Sequence, residues 1–334
     1  MLIAALAFGG CHSVETWDND LYGNFDALWS IIDEHYCFLD DKGVDWDAVG
    51  KKYRSEIDPE WGQVELFDHC SRMLAELKDG HTNLISWFDV SYYRNWWSDY
   101  PQNFDLRLIE QYYLKFDYRT SGSFMYKLFE DANVGYVRCS SFSVGAGESF
   151  LNQMLFTFKD CDGLIIDVRD NGGGDLTNVE DLVRHFIDEP ITAGYIRHKN
   201  GPGHNDFSEP FPISYEPLEK GIVWLKPVVV LTNRSTFSAA NNFVSVMKEL
   251  KQVQIVGDVT GGGCGMPYSS EIPVGWGVRF SAVPIYNADM ELTEFGIKPN
   301  IRLNMDLELA AEGIDTILEQ AITLLQKSDE ETSD

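Results

Sequence analysis

Positive charge is scarce in this chain of 334 residues: 26 lysines and arginines stand against 53 aspartates and glutamates, a formal net charge of −27. A field of that sign repels phosphate backbones, so nucleic acid is not an expected partner, and the acidity reads mainly as a solubility feature. Cysteine is sparse and scattered, at positions 11, 37, 70, 139, 161 and 264. That spacing matches neither a disulfide framework nor a metal site, and no His/Glu/Cys pattern elsewhere points to a metal or another cofactor. Most of these thiols are expected as small buried apolar residues. The Gly-rich turns lack the Gly-Lys-Ser/Thr ending of a nucleotide-binding loop. Beyond the N-terminus no apolar run is long enough to cross a bilayer, and no repeat with a period of about 20 to 50 residues marks a solenoid.

Apolar residues, by contrast, make up 44% of the chain and aromatics 13%, while charged residues of both signs make up 24%. This excludes global disorder and allows a large core, in two domains or one domain with a cap. Residues Leu2 to Phe8 form an apolar run that ends in Gly9, Gly10 and Cys11. An apolar segment closing on small residues before a cysteine is the pattern of a bacterial lipoprotein signal, in which the cysteine becomes the acylated first residue. The charged residue that usually opens such a signal is absent. Residues 1–11 are expected as the signal and Cys11 as the lipidated residue of an exported protein, periplasmic or on the cell surface, with membrane contact only through that anchor. A buried N-terminal strand is the competing reading, against which the polar stretch Glu15, Asp18, Asn19 and Asp20 weighs. Oligomeric state is not legible in the sequence.

Helical spacing of Phe25, Leu28, Trp29, Ile31 and Ile32, then of Trp46, Val49 and Tyr53, then of Leu66, Cys70, Met73, Leu74 and Leu77 predicts three short helices. They form an N-terminal helical cap over residues 12–81, with Gly80 expected to stop the third helix just before His81. Residues 82–131 are rich in aromatics, including Trp87, Phe88, Tyr92, Tyr93, Trp96, Trp97 and Tyr100. With strand candidates at 104–109 and 112–118 they are expected as a small β-rich subdomain whose aromatics pack in a core or between domains, the lining of a binding groove being the competing reading. From Val134 onward strands, tight turns and helices alternate, which predicts an α/β layered core over residues 132–326, followed by a disordered acidic tail at 327–334.

Two strand–turn–helix junctions in that core could carry chemistry, because such a junction brings backbone N–H groups and a helix N-terminus to one sheet edge, where they stabilise an oxyanion. One is Asp170-Asn171-Gly172-Gly173-Gly174. The other, Asn233 to Ala240, presents Ser238 followed by two alanines that allow close approach of a substrate. Taken alone, Ser238 also reads as a plain helix N-cap.

With Lys78-Asp79-Gly80-His81-Thr82, Ile165 to Gly174, Thr232 to Ala240, Gly257 to Gly263 and Glu294 to Asn300 taken together and in this order, the chain resembles the tail-specific, or C-terminal processing, serine proteases, and among them the tricorn-core-like branch. The resemblance covers about residues 20 to 305. It implies an α/β fold: a crotonase/Clp-protease-like ββα superhelix core with an N-terminal helical cap. It implies a peptide or protein substrate, with Ser238 as nucleophile, His81 as general base, and the amides of Ala239 and of Gly172 or Gly173 as oxyanion hole. Glu294 is implied as the acid that orients His81, with Thr82 or a water as intermediary. The lysine base of many relatives is missing, since Gly263 stands in its place. A serine that commonly precedes the histidine is replaced by Gly80, and the interval after the cap is too short for an inserted PDZ domain. An unperturbed histidine base predicts loss of activity on acidification through roughly pH 6 to 7. The rival expectation is a catalytically silent protein that binds an apolar ligand or a peptide on the same fold.

Overall fold

The computed structural model describes residues 17–331, so Cys11 and the expected signal lie outside the described residues. Three cap helices come first. In α1 (Leu21–His35) the Asp20 carboxylate accepts the Gly23 N–H, and in α2 (Trp46–Ser55) the Asp45 carboxylate accepts that of Ala48. In α3 (Gln63–Ala75) Glu65 reaches back to the Gly62 N–H at 3.0 Å. Each satisfies a donor that a helix start leaves unpaired. Trp29 and Trp46 lock α1 to α2 by each donating its indole N–H to the other's carbonyl, both at 3.0 Å. The apolar faces expected from the spacing are buried, Phe25, Leu28, Ile32, Trp46, Met73 and Leu74 among them. After α3 the chain turns at Lys78, which adopts the left-handed conformation (φ 49°); Gly80, expected as the stop, has no positive φ.

Residues 82–131 depart from expectation. The strand β1 (Asn83–Ile85) is followed by the short helical turns α4 (Asn95–Ser98) and α5 (Leu106–Leu108), the latter continuing into a wide π-type turn at Ile109–Leu114. Of the stretches anticipated as strands, 104–109 is thus mostly helical and 112–118 passes from the π-type turn into loop, while Phe104, Leu108, Ile109 and Leu114 cover one face of the main sheet. The strands that do form here, β1 together with β2 (Arg119–Ser121) and β3 (Phe124–Phe129), join the two large sheets and make no sheet of their own.

The remainder runs β4 (Val134–Cys139), α6 (Glu148–Thr157), β5 (Gly163–Asp167), α7 (Leu176–Val183), β6 (Ile191–Ile196), β7 (Phe211–Tyr215), β8 (Val228–Thr232), α8 (Ala239–Lys248), β9 (Val253–Gly257), β10 (Gly265–Glu271), β11 (Gly277–Tyr286), β12 (Ile301–Arg302), α9 (Leu307–Ala311) and α10 (Thr316–Glu331); strand and helix alternate as expected from β4 to β6 and from β8 to β9, whereas β6 to β8 and β9 to β12 follow one another with no helix between. The larger sheet has the order β12-β9-β8-β5-β4-β3-β2, parallel from β12 to β4 and antiparallel beyond. Its central strands are buried along their whole length, which is why they read as unbroken apolar runs. Helices α6 to α8 pack on one face and α10 on the other. The second sheet, β1-β11-β6-β7 with β10 also on β11, is antiparallel and presents Val278 and Phe280 to the cap.

The exits of β5, β8 and β9 meet at the carboxyl edge of the parallel strands, where open α/β sheets build their sites. Side by side they are stitched together: Phe237 N donates to Asn171 O at 3.0 Å, Ser238 N to Gly262 O at 2.9 Å and Gly261 N to Thr236 O at 2.7 Å. Beneath them lies a fully buried ionic cluster. Arg169 donates to Asp167 (2.6 and 2.9 Å) and to Asp315 (2.8 Å), while Tyr136 Oη donates to Asp167 at 2.9 Å. Asp315 also caps α10 by accepting the N–H groups of Ile317 and Leu318. Arg169→Ala would leave two carboxylates buried without their cation, so it is expected to destabilise the fold by about 3–5 kcal/mol. Urea unfolding measures this; an unchanged midpoint at unchanged slope would contradict it.

Candidate active site

Ser238 stands at the N-cap position of α8, its carbonyl accepting the Asn242 N–H at 3.0 Å, but in a conformation unusual for a cap. Its φ of 58° and ψ of −123° are strained for a side chain, and its hydroxyl caps nothing. The plain N-cap reading is therefore not what the structure shows: Oγ turns to the imidazole of His81, 3.0 Å from Nε2. The strain is held by the stitching of the three loops and by close packing. A Cβ added to Gly173 would sit 2.7 Å from Phe237 O and 2.8 Å from the Ser238 Cβ, and one on Gly262 would overlap Glu294 O. Glycine at these positions, both with positive φ, lets three backbones converge on one serine.

Two amides flank the hydroxyl. Among the described residues the Ala239 N–H makes no hydrogen bond, nor does that of Gly172, whereas the Gly173 N–H is already donated to Asn171 Oδ1 at 2.9 Å. Of the two glycines expected from the sequence, Gly172 therefore keeps a free donor and Gly173 does not. Asn171 is held in turn by Cys139 O at 3.0 Å.

His81 is buried, and its ring lies 4.7 Å from that of Phe237, which stacks on Trp96 at 4.1 Å. Gly80 belongs to this arrangement: a Cβ there would meet the Trp96 indole nitrogen at 2.6 Å and the tip of Phe237 at 2.9 Å. Close packing of aromatics, not helix termination, is what requires a glycine before the histidine. Burial pulls the imidazole down to about 4; Asp79 opposes the shift, while Arg279 and Lys42 add to it. The acid limb expected at pH 6 to 7 accordingly moves lower.

Glu294 is buried close by but does not meet the histidine. Its Oε1 pairs with Lys42 Nζ at 2.8 Å, and its Oε2 accepts the Cys264 N–H at 3.0 Å. Burial, and then the neighbouring Asp79, push its carboxyl up to about 7, with Lys42 opposing. The expected contact from Glu294 to His81 is thus taken up by a lysine, and Thr82 Oγ1, the suggested intermediary, has no hydrogen-bond partner. Lys42 lay in a turn that carried no sequence signal. Arg234 lies inside the second junction, where the sequence assigned it no role; it donates to Trp96 O at 2.6 Å and to Thr260 O at 3.0 Å and lies 4.3 Å from the Tyr100 ring. With Trp96 and Tyr100 it forms a wall between two clefts. One, of about 680 Å³, reaches Gly80, Lys42 and Glu294; the other, of about 560 Å³, reaches Asp170, Gly172 and Ser235. Among the described residues no cluster of His, Cys, Asp and Glu could hold a metal ion, and the five cysteines there are all buried and unpaired.

The sequence pattern of peptidase family S41 matches residues 133–303, just over half of the chain, and that of the tricorn protease C1 domain matches residues 18–75, the cap. The carboxy-terminal processing protease CtpB of Bacillus subtilis is 30% identical over 131 residues, which is 39% of this chain and 25% of that protein. CtpA of the same organism is 27% identical over 185 residues, 54% of this chain and 37% of that one. The chain thus spans well under half the length of these relatives. A crystal structure of a protein from Parabacteroides merdae superposes with a TM-score of 0.89 at 48% identity, covering 92% of this chain and 97% of that one. Mature CPAF shares the fold at a TM-score of 0.71 and 11% identity, over 92% of this chain and 96% of that one. With the family pattern spanning the strands and turns that assemble Ser238, the chain belongs to peptidase family S41.

Proposed function

We propose that the protein is a serine peptidase that hydrolyses peptide bonds of peptides or unfolded protein tails, with Ser238 as nucleophile and His81 as general base. The observation that carries this reading is the 3.0 Å contact from His81 Nε2 to the Oγ of a serine held in a strained turn. A hydroxyl is a poor nucleophile until a base takes its proton, and the geometry suits that transfer. Ser238 Oγ bonds to the substrate carbonyl carbon as its proton passes to Nε2; the carbonyl oxygen takes up the negative charge against the Ala239 and Gly172 amides. The proton then goes to the leaving amine, and water repeats the sequence to release the acyl group. The cleft that reaches Gly172 and Ser235 is the side from which a peptide would approach.

Fluorophosphonate labelling tests this directly. Ser238 is expected to carry the adduct, and His81→Ala to slow its formation on the order of 10⁴-fold. An imidazole must be neutral to accept a proton, and burial lowers its pKa to about 4. The labelling rate is therefore expected to hold from neutrality down to about pH 5 and to fall only below that. A folded protein that takes up no label would favour the silent binding reading, and a fall centred on pH 6 to 7 would mean an imidazole exposed to solvent.

We further propose that the mature protein begins at Cys11 and is held outside the cytoplasm by acyl chains on that residue, on the strength of the apolar run that ends in Gly9 and Gly10. Among the described residues no helix is long and apolar enough to cross a membrane. Full-length protein is expected in the detergent phase of a phase-separation extract and Cys11→Ala in the aqueous phase; wild type in the aqueous phase would contradict the anchor.

A further inference from the structure

His81 has a second ring nitrogen, and the residues around it suggest a partner other than the one the sequence implies. Because Nε2 faces the Ser238 hydroxyl, the ring proton belongs on Nδ1, which is buried and without a direct hydrogen-bond partner. A buried donor left unpaired carries the full cost of its desolvation, which points to an acceptor nearby. Glu294 is not available, since Lys42 and the Cys264 amide occupy its two oxygens. Asp79 is. Its Oδ1 accepts the backbone N–H of His81 itself at 2.7 Å, which fixes the carboxylate against that residue, and its Oδ2 is buried without a hydrogen-bond partner.

We infer that Asp79, not Glu294, is the carboxylate that orients His81, with Asp79 Oδ2 and His81 Nδ1 joined through a shared buried water. The inference rests on the Ser238–His81 reading. The site has the polar groups to hold such a water: Tyr36 Oη and Ser281 Oγ both interact with Asp79 and both lack a conventional partner. When Nε2 takes the Ser238 proton, Nδ1 keeps its own, and the imidazolium is stabilised by a carboxylate that stays ionised. Asp79 acts through His81 and is a positioning residue.

The groups that face this pair come from several elements. His81 feels Asp79, then Arg279 on β11 and Lys42 from the turn after α1. Asp79 is faced by Lys42, whose Nζ is 4.0 Å from Oδ2, and by His81, Tyr36, Cys37 and Glu294. Burial pushes the Asp79 carboxyl up, yet Lys42 and then His81 outweigh it and the net shift is downward. Lys42 lies between the two acids: it pairs directly with Glu294 at 2.8 Å and favours the ionised form of Asp79.

The test compares Asp79→Asn, Glu294→Gln and His81→Ala with wild type by fluorophosphonate labelling at pH 7, and reads the His81 tautomer by nitrogen NMR. Asp79→Asn is expected to slow labelling on the order of 10²- to 10⁴-fold and to convert a single Nδ1-protonated tautomer into a mixture. Glu294→Gln is expected to slow it less than about tenfold with the tautomer intact. Wild-type tautomer and labelling within about threefold of wild type in Asp79→Asn would overturn the assignment. So would a loss in Glu294→Gln as large as in His81→Ala, an arm that decides the matter even if Asp79→Asn does not fold. A wild type that takes no label would sink the peptidase reading, and the tautomers alone would then decide for or against Asp79.

Discussion

The whole site depends on one strained residue. Ser238 sits at φ 58° and ψ −123° between a buried strand and the first turn of a helix. A side chain reaches such a backbone conformation only where its surroundings over-determine it. Here the constraint comes from three directions at once: Phe237 is tied to the loop after β5, Ser238 to the loop after β9, and Gly261 back to Thr236. The buried Asp167–Arg169–Asp315 cluster supports the first of these loops from below and fastens it to the start of α10. Parallel strand pairing brings the loops to one edge, glycines let them approach, and the strain turns the hydroxyl outward to the histidine instead of down onto the helix.

The histidine is supplied by the cap, on the chain that leaves α3, and this makes the cap part of the chemistry. Cap and second sheet enclose His81 so fully that desolvation sets its protonation state, and the price of that enclosure is a nest of charge behind it. Two carboxylates and one ammonium are buried there together. Lys42 pairs with Glu294 at 2.8 Å and stands 4.0 Å from Asp79, which offsets part of the repulsion between two carboxylates so close. Trp96 packs on Phe237 beside the same region, and Arg234 holds it there through its carbonyl.

Much of this was legible beforehand because it is written in local pattern. Unbroken apolar runs mark strands buried on both faces, and Gly172 to Gly174 and Ser238 to Ala240 mark the junctions. The segment 104–118 misled, since its two short apolar and aromatic stretches read as strands while Leu108, Ile109 and Leu114 are buried against the main sheet by helical turns. Glu294 lies near His81, but nothing in sequence spacing discloses that Lys42, 252 residues earlier, occupies it. Gly80 was read as a helix stop because glycine often is one; its real constraint, Trp96 pressed against Phe237, is a long-range contact without a sequence signature. The choice between Gly172 and Gly173 likewise turned on a hydrogen bond from Asn171.

A strained serine, a desolvated histidine and two free amides are proposed here as one working constellation. The most direct measurement is a crystal structure of the protein with a peptide boronic acid. The account predicts a covalent bond from Ser238 Oγ to boron, with one boronate oxygen accepting the amides of Ala239 and Gly172 and His81 Nε2 still within hydrogen-bond distance of Oγ. A boronate found in the cleft without that bond, or with its oxygen directed away from both amides, would contradict it.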